Sequence, residues 1–254
     1  MFERFSKQKI AVSDTEINLV TGRNGPPLLL LHGYPQNHVM WHKVAPSLAK
    51  MFTLVIPDLR GYGDSDKPAS SNDDLWTYCK RASANDQIEV MRALGLDEFH
   101  LVGHDRGVRV GLRLALDHPK AVKSFTNLDV MPAMESFENM DASLSYSWFH
   151  WHLMRQPCPL PETVFSCHAK LFLDFFLENW TAVPNSFSDE AYADYLRCFS
   201  NPETVRAMCA DYRSVSLDLA HDDADRGTQL SCPCLFYTSD AAAEGLGVDL
   251  GGRR

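Results

Sequence analysis

The apolar residues of the first half of the chain fall into short blocks, Pro27 to Leu31, Thr53 to Ile56, Phe99 to Val102 and Val122 to Leu128. Between them, at about Met40 to Lys50, Leu75 to Leu94 and Arg106 to Asp117, apolar and polar residues alternate at helical spacing. Continuous apolar blocks separated by amphipathic segments predict buried parallel strands joined by covering helices, an α/β sheet packed on both faces. Ahead of this unit, Lys9 to Val12 and Ile17 to Val20 flank Ser13-Asp14, the pattern of an antiparallel hairpin leading into the sheet.

Beyond Asp129 the texture changes. From Met131 to about Leu219 the chain is rich in Trp, Phe, Tyr, His and Met at helical spacing, with a break at Pro157, Pro159 and Pro161. Strand character returns at Pro233 to Thr238. The organisation expected is a core over residues 1–130, a helical cap over 131–220, a re-entry strand within 221–238, and a tail over 239–254. That tail has no apolar period and ends in Gly-Gly-Arg-Arg; it resembles a translated adapter or scar and is set aside in the fold reasoning.

With 254 residues, 45% of them apolar, the chain can bury a full core in one large domain. No apolar run approaches the roughly 18 residues of a membrane span, and Met1 to Lys9 has no apolar signal region, so a cytoplasmic protein is expected. A formal charge of −9 without a Lys/Arg run argues against nucleic acid as a partner. An anionic substrate would need local cations. The seven cysteines are odd in number and irregularly spaced, which suits buried free thiols. The ten histidines form no metal-ligand spacing, and neither a metal nor a cofactor is expected.

Candidate chemistry concentrates at Gly103-His104-Asp105-Arg106-Gly107, directly behind an apolar block. In a G-x-S-x-G elbow the glycines let the strand turn sharply into a helix and project the central side chain above the sheet. Here that residue is Asp105, and a carboxylate is suited to displacing a leaving group from saturated carbon. The same residues also suit an ordinary glycine-bounded turn with an aspartate helix cap. Leu31-His32-Gly33-Tyr34-Pro35 would bring the Tyr34 amide toward the elbow, forming an oxyanion hole with the amide of Arg106. Asp58 to Ser65 reads as a structural turn, since it lacks phosphate-loop spacing.

HGYPQ, DLRGYGDSDKP, LVGHDRG and the Asp129 turn follow one another as in the α/β-hydrolase fold, and GHDRG is similar to the branch with an aspartate nucleophile. GHDRGVRVGLRLALDHP, SWFHWHLMRQP and CADYRS resemble the haloacetate (fluoroacetate) dehalogenases over about residues 3 to 238. The resemblance implies Asp105 as nucleophile and Arg106 and Arg109 as the residues holding a substrate carboxylate. His150, Trp151 and Tyr212 become donors to the leaving halide, and Asp129 the acid that orients a catalytic histidine. Arginine forks suit a carboxylate, and N–H and O–H dipoles suit a departing fluoride.

The reaction implied is halide displacement by Asp105 followed by hydrolysis of the ester to glycolate. Its histidine belongs after one further strand, and none of the histidines of this sequence matches it. The last strand and closing helices of the fold are likewise expected to be missing, so the chain should alkylate Asp105 once and stall. An epoxide hydrolase using two tyrosines from among Tyr146, Tyr192, Tyr195 and Tyr212 is the alternative enzyme. An inactive scaffold that binds a small carboxylate is the alternative outside catalysis. A homodimer is compatible with either.

Overall fold

In the computed structural model, residues 1–131, 133–183 and 186–237 are described. Residues 239–254 and Thr238 lie outside them. The chain opens with the hairpin β1 (Ser6–Val12) and β2 (Thr15–Gly22), then β3 (Pro27–Leu31), a short 3-10 turn (His38–Lys43), α1 (Ala45–Leu48) and β4 (Thr53–Pro57). After a long loop come α2 (Lys80–Ala93), β5 (Phe99–His104), α3 (Arg106–Asp117) and β6 (Val122–Leu128). Helices α4 (Ala133–Glu138), α5 (Ala142–Ser147), α6 (Phe149–Met154), α7 (Leu160–Cys167) and α8 (Ala169–Asn179) follow. Then α9 (Asp189–Phe199), α10 (Pro202–Arg213) and α11 (Val215–Ala224) lead to β7 (Cys234–Tyr237).

The sheet has the order β1-β2-β4-β3-β5-β6-β7. Pairs β4·β3, β3·β5, β5·β6 and β6·β7 are parallel, while the hairpin joins antiparallel through β2·β4. Apolar blocks become buried strands because both faces are covered: Leu29, Leu30, Leu31, Leu54, Val55 and Ile56 have no exposure at all. Ser13 at the hairpin tip takes φ 42°, as a two-residue turn between twisted strands requires.

Two helical expectations shorten. The segment Met40 to Lys50 is a 3-10 turn followed by one turn of α-helix, because Pro46 lacks the amide needed to carry a helix through. The segment from Leu75 becomes helical only at Lys80, where Cys79 caps it by accepting from the Ala82 amide. The helical layer lies wholly between β6 and β7, and its last member, α11, runs through residue 220 to Ala224. All seven cysteines are free, yet only Cys79, Cys198 and Cys209 are buried, since the others lie on outward faces or near β7. β7 carries Leu235, Phe236 and Tyr237 exposed. Among the described residues no helix is long and apolar enough to cross a membrane.

β3 leads to β4 on one side while β5 lies on the other, so the chain reverses its direction of sheet building between β3 and β5. The crevice above that switch point, at the carboxyl ends of the strands, is where open α/β sheets hold ligands. The loops after β3 and β5 meet there, under the helical insertion.

Candidate active site

Asp105 stands between the end of β5 and the start of α3 with φ 47° and ψ −113°. A non-glycine residue at positive φ is strained, and such strain is held by its surroundings. Here the holding is steric. A side chain at Gly107 would bring its Cβ to 2.5 Å from the Leu31 carbonyl oxygen, so α3 packs against β3 at a distance only glycine allows. The Asp105 carboxylate, half-buried, sits at the N-terminal end of α3. Its Oδ1 accepts from the Tyr34 amide at 2.7 Å. The loop bearing that amide is pinned by His32, whose Nε2 accepts from the Leu59 amide at 2.9 Å. His32 Nδ1 therefore carries the proton and donates to the Gly33 carbonyl at 3.0 Å. Burial lowers the His32 pKa, in keeping with a neutral ring.

The wall opposite Asp105 is aromatic and comes from the helical insertion. His150 and Trp151 lie on α6, Tyr212 on α10, and all three are buried. The His150 ring stacks on Tyr34 with centroids 5.6 Å apart, and Tyr212 stands edge-on to Tyr34 at 5.5 Å and to Trp151 at 4.9 Å. Burial, reinforced by the Arg106 charge, lowers the His150 pKa to about 3, so the imidazole is neutral. Burial raises the Tyr34 and Tyr212 phenols well above their ordinary range, leaving both protonated. His150 Nδ1 and the Tyr34 hydroxyl are buried without a hydrogen-bond partner.

Arg106 and Arg109 both lie buried on α3, but their environments differ. Arg106 Nε donates to Asp211 Oδ2 at 2.9 Å and its Nη2 lies 2.6 Å from Oδ1, a fork-to-fork pair. Lys80 Nζ also donates to this carboxylate, as does the Tyr62 hydroxyl at 2.7 Å. An arginine in the first turn of one helix and an aspartate in the last turn of another each oppose their own helix dipole, and each relieves the other. Arg109 has no such partner. Its Nε, Nη1 and Nη2 are all buried without hydrogen bonds, and its guanidinium lies 4.6 Å from the Trp151 ring centre and 5.7 Å from that of Trp148. Burial and the neighbouring Arg106 charge lower its pKa to about 10, which leaves it cationic at neutral pH.

Asp129 follows β6 at φ 66°, one residue past the Leu128 that pairs with His104, and its amide donates to the Tyr237 carbonyl at 2.8 Å. It therefore shares the sheet edge of Asp105 while standing more exposed. The structure thus gathers Asp105, Tyr34, Arg106, Arg109, His150, Trp151 and Tyr212 into one contiguous cluster of contacts, with Asp129 on the adjoining strand end. Sequence reasoning missed Asp211, Lys80 and Tyr62. CADYRS carried the signal for the first, in the residue directly before Tyr212.

Asp58 is occupied structurally. It accepts from the His38 amide at 2.7 Å, Asn18 Nδ2 at 2.8 Å and the Asp64 amide at 2.8 Å, which keeps its pKa below the ordinary carboxylate range together with the His38 ring. Cys79, Asp218 and His221 bring ligand-type atoms within 4.8 Å of one another, the one such group among the described residues that separate spacing in the sequence concealed. Asp218 there already accepts from the Lys80 amide at 2.7 Å, and Lys80, Arg81 and Arg113 surround the group, which works against a further cation.

Residues 26–204 match the family model for the alpha/beta hydrolase fold. The chain is 43% identical over 243 residues to a fluoroacetate dehalogenase of Burkholderia sp, covering 95% of this chain and 80% of that protein. It is 33% identical over 242 residues to a soluble epoxide hydrolase of Corynebacterium sp. (strain C12), covering 93% of this chain and 82% of the relative. A crystal structure of an alpha/beta hydrolase from Nostoc sp PCC 7120 superimposes with a TM-score of 0.94 at 45% identity, covering 98% of this chain and 86% of that one. With the strand-to-helix elbow, the mostly parallel sheet and the inserted helices in place, the chain belongs to the α/β-hydrolase fold family, as a haloacetate-dehalogenase-like member.

Proposed function

We propose that the protein cleaves the carbon–halogen bond of a small haloacetate through an ester on Asp105. The observation that carries this reading is the buried, uncommitted guanidinium of Arg109, one helical turn beyond the Asp105 carboxylate. A buried cation without a partner is costly, and a substrate carboxylate would supply the partner in the bidentate geometry that arginine favours. An epoxide has no group to use it.

In the proposed reaction Arg109 binds the carboxylate, with Arg106 held alongside by Asp211, and turns the halogen-bearing carbon toward Asp105. Oδ1 stays on the Tyr34 amide. Oδ2 attacks the carbon, the new C–O bond forms as the carbon–halogen bond breaks, and the bonding pair leaves with the halide. Neutral His150, Trp151 and protonated Tyr212 offer N–H and O–H dipoles to that anion. Water would then attack the ester carbonyl, whose oxygen lies on the Tyr34 amide and the first amide of α3, and release glycolate.

Hydrolysis of the ester needs a base to activate water. Incubation with fluoro-, chloro- or bromoacetate, followed by halide assay and mass spectrometry, tests the reading. Halide release and a carboxymethyl group on Asp105, both absent from Asp105→Asn, are the expected results. No adduct and no halide release would refute the reaction, and turnover of styrene oxide would favour an epoxide hydrolase.

A further inference from the structure

The side chains that cluster beside Asp105 are sealed. Arg106, Arg109, His150, Trp151 and Tyr212 are each no more than 5% exposed, and the three guanidinium nitrogens of Arg109 are buried. A carboxylate therefore reaches Arg109 only when the inserted helices part from the sheet and its loops. Where they part follows from how the two are fastened.

On the side of α10 and α11 the fastening is buried and charged. Asp211 accepts from Arg106, Lys80 and Tyr62, Asp218 accepts from the Lys80 amide at 2.7 Å, and all five residues are buried. Arg113 and Arg81 of the core add ion pairs to Asp225 at 2.5 and 3.4 Å. Pulling such a set apart would strand several buried charges at once.

On the side of α9 the fastening is lighter. Asn37 Nδ2 donates to Asp194 at 2.7 Å, and Gln36 Nε2 meets the Tyr195 hydroxyl only at 3.5 Å, a weak contact. Arg197, an exposed side chain, joins Asp64 of the core at 2.9 Å and Asp194 of its own helix at 2.8 Å. Lys43 adds a bond to the Ser186 carbonyl. The remaining hold includes the packing of Tyr34 on Phe176 and Phe199, which is non-directional.

We propose that the insertion hinges on the Asp211 latch and opens along α9, admitting small anions between that helix and the loop after β3, with Arg197 as an ionic clasp. Tyr34 lies directly behind this seam: its ring meets Phe199 of α9 and His150 of α6, and its amide holds Asp105. The fastenings carry the gate whatever reaction Asp105 performs.

Hydrogen exchange of the full chain, read by mass spectrometry and corrected for intrinsic rates, tests it. Peptides of α9 should exchange faster than those of α10. Arg197→Gln should speed α9 by about 1.5- to fivefold, the range for removing an exposed ion pair, and leave α10 unchanged. A second arm closes the seam. Asn37 Nδ2 lies 3.4 Å from Cys198 Sγ, so Asn37→Cys places a second thiol against one on α9. Oxidising that pair should slow α9 exchange at least tenfold and suppress carboxymethylation of Asp105 by fluoroacetate, and reductant should restore both. Should Asn37→Cys fail to fold, the exchange comparison with Arg197→Gln decides. Equal protection of α9 and α10, an α9 rate unmoved by Arg197→Gln, or an oxidised variant that reacts at the reduced rate would overturn the gate. The expected exchange pattern in protein that forms no adduct, cross-linked or not, would overturn the dehalogenation reading and leave the gate standing.

Discussion

Replacing Arg109 by methionine should separate stability from chemistry. In the unliganded protein the guanidinium is 5% exposed, makes no hydrogen bond, and is compensated by the faces of Trp148 and Trp151. Two cation–π contacts are worth about 1–2 kcal/mol together. Removing a poorly compensated buried charge in favour of an apolar residue of similar volume returns about 1–4 kcal/mol. The balance runs from about 1 kcal/mol less stable than the parent to about 3 kcal/mol more so, and a domain of this size shifts by about 2–4 °C in Tm per kcal/mol. Substrate capture moves the other way. A bidentate pair forgoes two charge-assisted hydrogen bonds of about 1.5–3 kcal/mol each, so the second-order rate of Asp105 alkylation by chloroacetate should fall by about two to four orders of magnitude. Calorimetric melting and timed intact-mass measurements check the two halves. A variant that melts well below the parent, or one that alkylates at the parent rate, would show that Arg109 serves the fold and not the substrate.

Asp211→Asn leaves Arg106 and Lys80 short of a buried anion and should cost about 3–5 kcal/mol in urea denaturation, whereas Asp64→Asn, whose partners Lys7 and Arg197 are exposed, should cost less than about 1 kcal/mol. His150, with its pKa lowered to about 3, binds no proton in the folded state over a range where the unfolded chain does. Stability should therefore decline on acidification from about pH 6.5 towards 3, by about 1.4 kcal/mol per pH unit from this group, and His150→Gln should flatten that part of the profile. Gly33→Ala would set a Cβ 2.6 Å from Asp105 Cβ and 2.9 Å from its Oδ1. Alkylation should drop at least tenfold with the circular dichroism spectrum unchanged, and a parent-like rate would show that the loop yields.

The parallel strands were legible because burial on both faces leaves unbroken apolar blocks, and Pro27–Leu31 has the bounds that its leucines suggest. The elbow was legible because Gly103 answers a steric demand within the turn itself, a Cβ there meeting the Gly107 carbonyl oxygen at 2.6 Å, whereas Gly107 is required by the distant Leu31 carbonyl. The region from Leu75 to Lys80 was not, since Cys79 caps the helix with a thiol, an uncommon capping group, and the residues before it look equally helical. Asp211 was hidden for another reason. Its function depends on Arg106, Lys80 and Tyr62, which stand 105, 131 and 149 positions away, and no local pattern distinguishes a latch from a surface carboxylate.

Arg106 and Arg109 show why the distinction matters. On sequence they are equivalent, two cations three apart at the head of one helix, and the resemblance gives both the same task. The fold spends one and keeps the other. Asp211 neutralises Arg106 and ties α10, which also carries Tyr212, to the core. Arg109 alone retains a full fork of donors in a space that water cannot screen. In a chain of net charge −9, long-range attraction of an anion is unfavourable and salt-screened within about 10 Å. Recognition must then come from a short-range, desolvated cation that the protein itself leaves unanswered, so neutralising Arg109 from within, by placing an acid at Trp148, should suppress haloacetate alkylation more completely than any change in surface charge.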